Sequence, residues 1–149
     1  MPKVDLERIA EVSRTGYPPP FDTPVAGRWA RKLSPLTGLT HFGANIIRLE
    51  PGAWSSQRHW HDSEDELVVM LAGTAVLVED GGETLLGPGD VAVFPRGTGD
   101  GHHLVNRSAG DCRFFVVGAG PCTGGAYSDI DMKFTADGAY VHKDGTPYQ

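Results

Sequence analysis

Residues 59–66 read His-Trp-His-Asp-Ser-Glu-Asp-Glu and carry a dense set of side chains able to ligate a metal. In an extended strand alternate side chains share a face, so His59 and His61 would point one way and Trp60 the other. Two imidazoles on one face can grip a single cation between them. Glu66 opens the apolar run Leu67-Val68-Val69-Met70-Leu71-Ala72-Gly73. A carboxylate at the head of such a strand is costly unless it is paired or coordinates an ion, which makes Glu66 the next candidate ligand. A hairpin would carry it back beside the histidines. A third nitrogen ligand should come from elsewhere, and Gly101-His102-His103-Leu104-Val105-Asn106 offers His102 and His103. Four of the six histidines lie in these two segments. Three neutral imidazoles and a carboxylate suit Zn, Fe, Mn, Ni or Cu, and leave positions open for a substrate, as a catalytic site requires.

The elements that would position these groups are short strands. Arg28 to Leu33 and Thr40 to Glu50 are the first two, the second with Asn45, Ile47 and Leu49 on one face. Trp54 to His61 carries the first ligands. Glu66 to Ala72 and Thr74 to Glu79 are predicted as a hairpin around Gly73. The Asp80-Gly81-Gly82 turn leads into Glu83 to Leu86, and Gly87-Pro88-Gly89 into Asp90 to Phe94. His102 to Arg107 and Cys112 to Val117 complete the core set. With twenty glycines and eleven prolines marking the turns, this spacing predicts a closed or sandwiched all-β fold. One short amphipathic helix is expected, Val4 to Ser13, capped by Asp5, striped by Leu6, Ile9 and Ala10, and ended by Gly16 and Pro18 to Pro20. The organisation expected is an N-terminal helix and extended linker over 1–27, a barrel over 28–120 and a C-terminal tail over 121–149. Tyr127, Ile130, Met132, Phe134, Tyr140 and Val141 give that tail enough apolar surface to dock on the barrel or on a partner subunit. Leu67 to Leu71 is apolar on both faces, and with an outward Trp60 this predicts burial against a second sheet or a second subunit, hence a homodimer.

The two histidine segments resemble the paired motifs of the cupin superfamily. The first motif runs Gly, five residues, His-x-His, three or four residues, Glu, six residues, Gly. Here Gly52 is followed by six residues, then His59, His61, four residues, Glu66, six residues and Gly73, one residue longer before His59. The second runs Gly, five residues, Pro-x-Gly, two residues, His, three residues, Asn. Here Gly89 leads to Pro95-Arg96-Gly97, and after a loop of four residues His102 stands three residues before Asn106. Resemblance to this family implies a double-stranded β-helix, or jelly-roll barrel. It also implies one divalent metal on His59, His61, Glu66 and His102, with His103 turned to the other face. The stretches from Gly52 to His61 and Gly99 to Ser108, together with Tyr127-Ser128-Asp129-Ile130-Asp131 and His142-Lys143-Asp144-Gly145-Thr146-Pro147-Tyr148, are similar to a group of small single-domain bacterial cupins. Members of that group are often labelled sugar-phosphate isomerase-like or mannose-6-phosphate isomerase-like. The resemblance therefore implies a metal-dependent enzyme on a small polar molecule such as a sugar or sugar phosphate. The alternatives are a non-catalytic ligand-binding or sensing cupin and an Fe-dependent dioxygenase, since one fold hosts many chemistries.

Around the metal, Gln57 shares the parity of His59 and is expected to donate a hydrogen bond into the cavity, while Arg58 and Arg96 flank the motifs and could meet a phosphate or carboxylate. Asn106 or Gln57 could fix a ligand imidazole from behind. Glu64, Asp65 and His103 are the nearby candidates for a base. A length of 149 residues suits one domain, and a net charge of −6 with a pI near 5.4 argues against nucleic acid as a partner. No apolar run approaches the length that spans a membrane, and Met1 to Glu7 lacks a hydrophobic signal core, so a cytoplasmic protein is expected. Cys112, at the start of an apolar strand, is expected to be a buried filler and Cys122 to lie in an exposed loop, with no disulfide framework.

Overall fold

Alternation of apolar and polar residues is realised as antiparallel strands in the computed structural model, which describes residues 3–34 and 36–149. In chain order these are β1 (Arg28–Lys32), β2 (Gly43–Leu49), β3 (His59–His61), β4 (Asp65–Ala72), β5 (Ala75–Glu79) and β6 (Gly82–Leu86). There follow β7 (Val91–Phe94), β8 (His103–Val105), β9 (Cys112–Ala119), β10 (Gly124–Tyr127), β11 (Lys133–Thr135) and β12 (Tyr140–Val141). One sheet has the order β1-β2-β9-β4-β7, a second β12-β11-β10-β3, and a third β6-β5-β8. An isolated bridge between His59 and His102 ties the second sheet to the third, and Trp54 bridges Val105 on β8. The result is two facing walls, one of five strands and one assembled from the other seven, which is an all-β cupin-type jelly roll. Between the walls Ile47, Leu49, Val68, Met70, Leu77, Leu104 and Phe114 form the buried core.

Strand β4 shows how parity sorts the run that is apolar on both sides. Val68 and Met70 point inward at 2% and 1% exposure, whereas Leu71 on the outer side is 48% exposed. The outer face continues across β7 with Val91 and Val93, which pair with Val69 and Leu67. Glu66 has the inward parity of Val68, between Phe94 on β7 and Gly118 on β9.

The hairpin expected around Gly73 does not form. Strand β4 pairs with β7 and β9, while β5 pairs with β6 and β8, so Gly73 is the corner at which the chain leaves one wall for the other. Only glycine fits there. Its φ is +69°, and a Cβ would lie 2.6 Å from the Asp111 carbonyl oxygen and 2.9 Å from Cys112. Gly73→Ala is therefore expected to destabilise the fold by roughly 2–3 kcal/mol, seen as a lower urea midpoint at unchanged slope. A midpoint equal to that of the parent would contradict the corner assignment.

The N-terminal helix is also corrected. Asp5 does cap, its carboxylate accepting from the Glu7 N–H at 3.2 Å, but only a single 3-10 turn, Leu6–Arg8, follows. Isolated helices this short are marginal. The chain instead extends, and Val12 exchanges two 3.0 Å backbone hydrogen bonds with Ala30, satisfying the open edge of β1. Among the residues after 120, β10 pairs directly with β3. The cysteines lie as expected, Cys112 buried and Cys122 exposed, both free. Among the described residues no helix is long and apolar enough to cross a membrane.

Candidate metal centre

The ligand candidates come from three directions. His59 and His61 lie on β3, Glu66 heads β4 in the opposite wall, and His102 sits on the bridge that ties β3 to β8. His59 Nε2 lies 3.1 Å from His61 Nε2, and His61 Nε2 lies 3.5 Å from Glu66 Oε2. The three side chains place ligand atoms within 4.8 Å of one another and could hold a metal ion. His102 Nε2 lies 3.1 Å from the other Glu66 oxygen, and its ring stacks on Phe94 at 3.6 Å.

The tautomers suit a cation. His59 Nδ1 lies 3.0 Å from the Gln57 carbonyl oxygen, which can only accept, so Nδ1 carries the proton and Nε2 presents a lone pair to the cavity. Ser56 Oγ supports the same nitrogen at 3.1 Å. Burial, then the charge of His102, pushes the His59 pKa down to about 3, so that ring is neutral. Burial alone would lower the His61 pKa, but Glu66 and Glu64 outweigh it and hold it above the ordinary value. Burial would likewise raise Glu66, yet hydrogen bonds from His102 and His61 win and keep its carboxyl well below the usual range. A neutral imidazole lone pair facing a second ring nitrogen beside a buried carboxylate is the donor set that a divalent cation satisfies.

This cluster opens into a cavity of about 410 Å³ whose lining also includes Arg28, Asn45, Glu64, Val116 and Tyr140. Gly43 and Gly118, paired across β2 and β9, contribute no side chain to it and keep the space beside Glu66 open.

The Cupin domain family profile matches residues 45–118, the span that carries all four candidate ligands. A sugar phosphate isomerase of the cupin superfamily from Silicibacter pomeroyi DSS-3 is 43% identical, with 99% of this chain and 97% of that one covered and a TM-score of 0.93. The chain belongs to the cupin superfamily. Two further solved cupin-like structures share the fold. A candidate sugar phosphate isomerase from Acidithiobacillus ferrooxidans is 24% identical over 82% of this chain and 80% of that one, at TM-score 0.70. The polyketide cyclase RemF from Streptomyces resistomycificus is 23% identical over 87% of each, at TM-score 0.71. Comparison with curated proteins gave no match.

Within this cupin the two adjacent histidines point in different directions. His103 faces away from the cluster, its Nδ1 2.9 Å from the Ser56 carbonyl oxygen and its ring edge-on to Trp54 at 4.7 Å. Three side chains expected near a substrate lie elsewhere. The Gln57 amide donates to the Phe21 carbonyl oxygen at 2.9 Å, fastening the N-terminal segment rather than reaching into the cavity. The Arg58 guanidinium grips both Asp129 oxygens at 2.9 and 2.8 Å and also meets Asp80, an arrangement of loops outside the cavity. Arg96 is exposed, and its backbone N–H is held by Asp65 at 2.9 Å. Of the base candidates Glu64 lines the cavity, 3.3 Å from His61 Nδ1, while Asp65 and His103 do not. Asn106 supports no imidazole. It is fully buried and donates to the backbone carbonyl oxygens of Leu49 and Gly110 instead.

Sequence reading missed the cavity tyrosines and Arg28. Tyr17 and Tyr140 approach with ring centroids 5.1 Å apart, and Tyr17 meets Tyr127 edge-on at 5.5 Å. Tyr17 sits in the Pro-rich linker and Tyr140 in the tail, where no periodicity marks them. Burial pushes the Tyr17 phenol up to about 12 and raises Tyr127 as well. A folded pKa above the unfolded value of about 10 means stability that is complete below pH ~10 and lost as pH rises toward the folded value. Spectrophotometric titration is expected to show Tyr17 and Tyr127 ionising late, with thermal stability falling above pH ~10. Four phenols titrating together near the free value would contradict this packing.

Proposed function

We propose that this cupin is a metal-dependent enzyme that moves a proton between neighbouring carbons of a sugar or sugar phosphate, an isomerase-type reaction. What carries the reading is the junction of a His59–His61–Glu66 cluster with an open cavity that also holds a second carboxylate, Glu64, 3.3 Å from His61 Nδ1. His102, through its 3.1 Å contact with Glu66, completes the ligand set as a fourth member. A divalent transition ion held there, Zn, Fe, Mn or Ni, would polarise a carbonyl or hydroxyl oxygen and so acidify the adjacent C–H. Glu64 lies in the cavity to accept that proton and return it to the neighbouring carbon. The Tyr17 and Tyr140 hydroxyls can orient substrate oxygens, and the apolar side chains Val68, Val116 and Phe114 limit water. The 43% identical relative named as a sugar phosphate isomerase supports the same substrate class. The test is proton exchange. Metal-loaded protein incubated in D₂O with a panel of aldose and ketose phosphates should place deuterium on the carbon beside the carbonyl, and Glu64→Gln should abolish it. No deuterium with any member of the panel, or oxygen uptake on loading with Fe(II), would overturn the isomerase reading.

We infer that the working unit is a homodimer. The outer face of β4 and β7 is aliphatic beyond Asp65 at its end, with Leu71, Val91 and Val93 about half exposed. Trp60 shares a depression of about 110 Å³ with Val93 and Pro95 at the edge of that face. A second copy offers the same aliphatic surface, and burying apolar area stabilises at roughly 25 cal/mol per Å². Light scattering at micromolar concentration should give twice the chain mass, and Val93→Lys should give one chain mass. A monomeric parent protein would refute the inference.

A further inference from the structure

Arg28 lines the same cavity as the metal cluster, from the inward side of β1. Its Nε is buried and has no hydrogen-bond partner. Arg31, Arg48, Arg58 and Arg107 each meet a carboxylate, whereas among the described residues no ion pair involves Arg28. Burial pushes its pKa down, offset by Tyr17, Tyr140 and Glu66, yet a guanidinium stays charged in proteins. A buried cation without a counterion is costly, and Glu66, the carboxylate among those neighbours, is already shared by His61 and His102. Tyr17 and Tyr140 bring phenol hydroxyls to the same cavity, and the Tyr17 oxygen accepts from the Gln57 N–H at 3.3 Å. Arg14 also lines the cavity, so the ionic lining is two arginines against Glu64 and Glu66 before any metal charge is added. A divalent ion on the cluster would make that balance net positive.

We propose that Arg28, with Tyr17 and Tyr140, is an anion-binding pole that takes the carboxylate or phosphate group of a substrate whose reacting oxygen faces His59, His61 and Glu66. This builds on the reading of the cluster as a metal centre, and it selects anionic over neutral sugars. The planar fork of arginine suits two oxygens of either anion at once, with the phenols closing on a third atom. Arg28 acts by positioning and selection, since nothing places it at the reacting carbons.

The test is calorimetric titration of metal-loaded and metal-free protein with inorganic phosphate, acetate and glycerol, alongside metal analysis of every sample. The parent protein should bind phosphate or acetate and ignore glycerol. Arg28→Gln should weaken anion binding by about tenfold or more, and Tyr140→Phe by roughly threefold, with metal content unchanged. Preference for phosphate would assign a phosphate ester, and preference for acetate a carboxylate. Should Arg28→Gln fail to fold, Arg28→Lys keeps the charge without the fork and should still weaken binding severalfold. The Arg28 Nε–H resonance, identified by its loss in that variant, should also move when anion is added to the parent. Equal anion affinity in the parent and both variants, or no anion binding by the parent, overturns the proposal. Metal binding with Arg28-independent anion affinity would sink the anion pole alone. Arg28-dependent anion binding without metal binding would sink the metal centre alone.

Discussion

Replacing His59 or His61 with alanine is expected to weaken binding of a divalent transition metal by roughly a hundredfold or more. Loss of a merely supporting partner already costs about ten- to a hundredfold, and each of these rings supplies a nitrogen to the cluster itself. Glu66→Gln should act as strongly, because the amide keeps the shape and removes the buried negative charge. His102→Ala is expected to fall in the same class, given its 3.1 Å approach to Glu66. His103→Ala should change metal affinity by no more than about threefold, for its ring is committed to the Ser56 carbonyl and Trp54 on the far side of the strand. Competition with a chromophoric chelator reads all five variants on one scale. If His103→Ala alone released the metal, the register of the second histidine segment would be shifted by one residue.

Asn106 should be the most costly polar side chain to remove, and for a reason unrelated to the metal. It is fully buried, and its amide nitrogen donates to the Leu49 carbonyl oxygen at 2.9 Å and to Gly110 at 2.8 Å. Its carbonyl oxygen accepts from the Ser108 N–H at 3.0 Å and the Ser108 hydroxyl at 2.7 Å. Leucine at this position has similar bulk but satisfies none of these groups, and leaves buried backbone acceptors unpaired at about 1–3 kcal/mol each. Asn106→Leu is therefore expected to destabilise the fold by roughly 3–5 kcal/mol, with metal affinity per folded molecule nearly unchanged. Denaturant unfolding and chelator competition on the same preparation separate the two effects. A variant of native stability, or one that folds normally but loses the metal, would return Asn106 to the metal centre.

The legible parts of this chain are those that period and spacing control. Strand parity was enough to put His59 and His61 on one face and Trp60 on the other, and turn residues placed most strand boundaries within a few positions. Charge cost was enough to single out Glu66. What parity cannot give is which strands become neighbours. Glu66 reaches the histidines across the barrel from the opposite wall, not by a hairpin, and Gly73 is a corner rather than a tight turn. Local pattern also over-read the N-terminus, because Leu6, Ile9 and Ala10 mimic a helical stripe while the edge of β1 offers Val12 a competing pair of hydrogen bonds. Gln57 has the right parity for the cavity, yet its segment leaves the extended conformation before β3 begins, and its amide turns to Phe21. Arg28 carried no signal, since parity on β1 is visible only once the sheet it joins is known.

One divalent transition metal is expected between the walls, on three imidazoles and a carboxylate. Anomalous diffraction from a crystal of untagged, metal-loaded protein, collected at the absorption edge of the metal supplied, tests it most directly. The expected map has one peak per chain within bonding distance of His59, His61, Glu66 and His102, and no density beside His103. A peak elsewhere, or a structure in which His102 points away from a metal held by the other three, would contradict it.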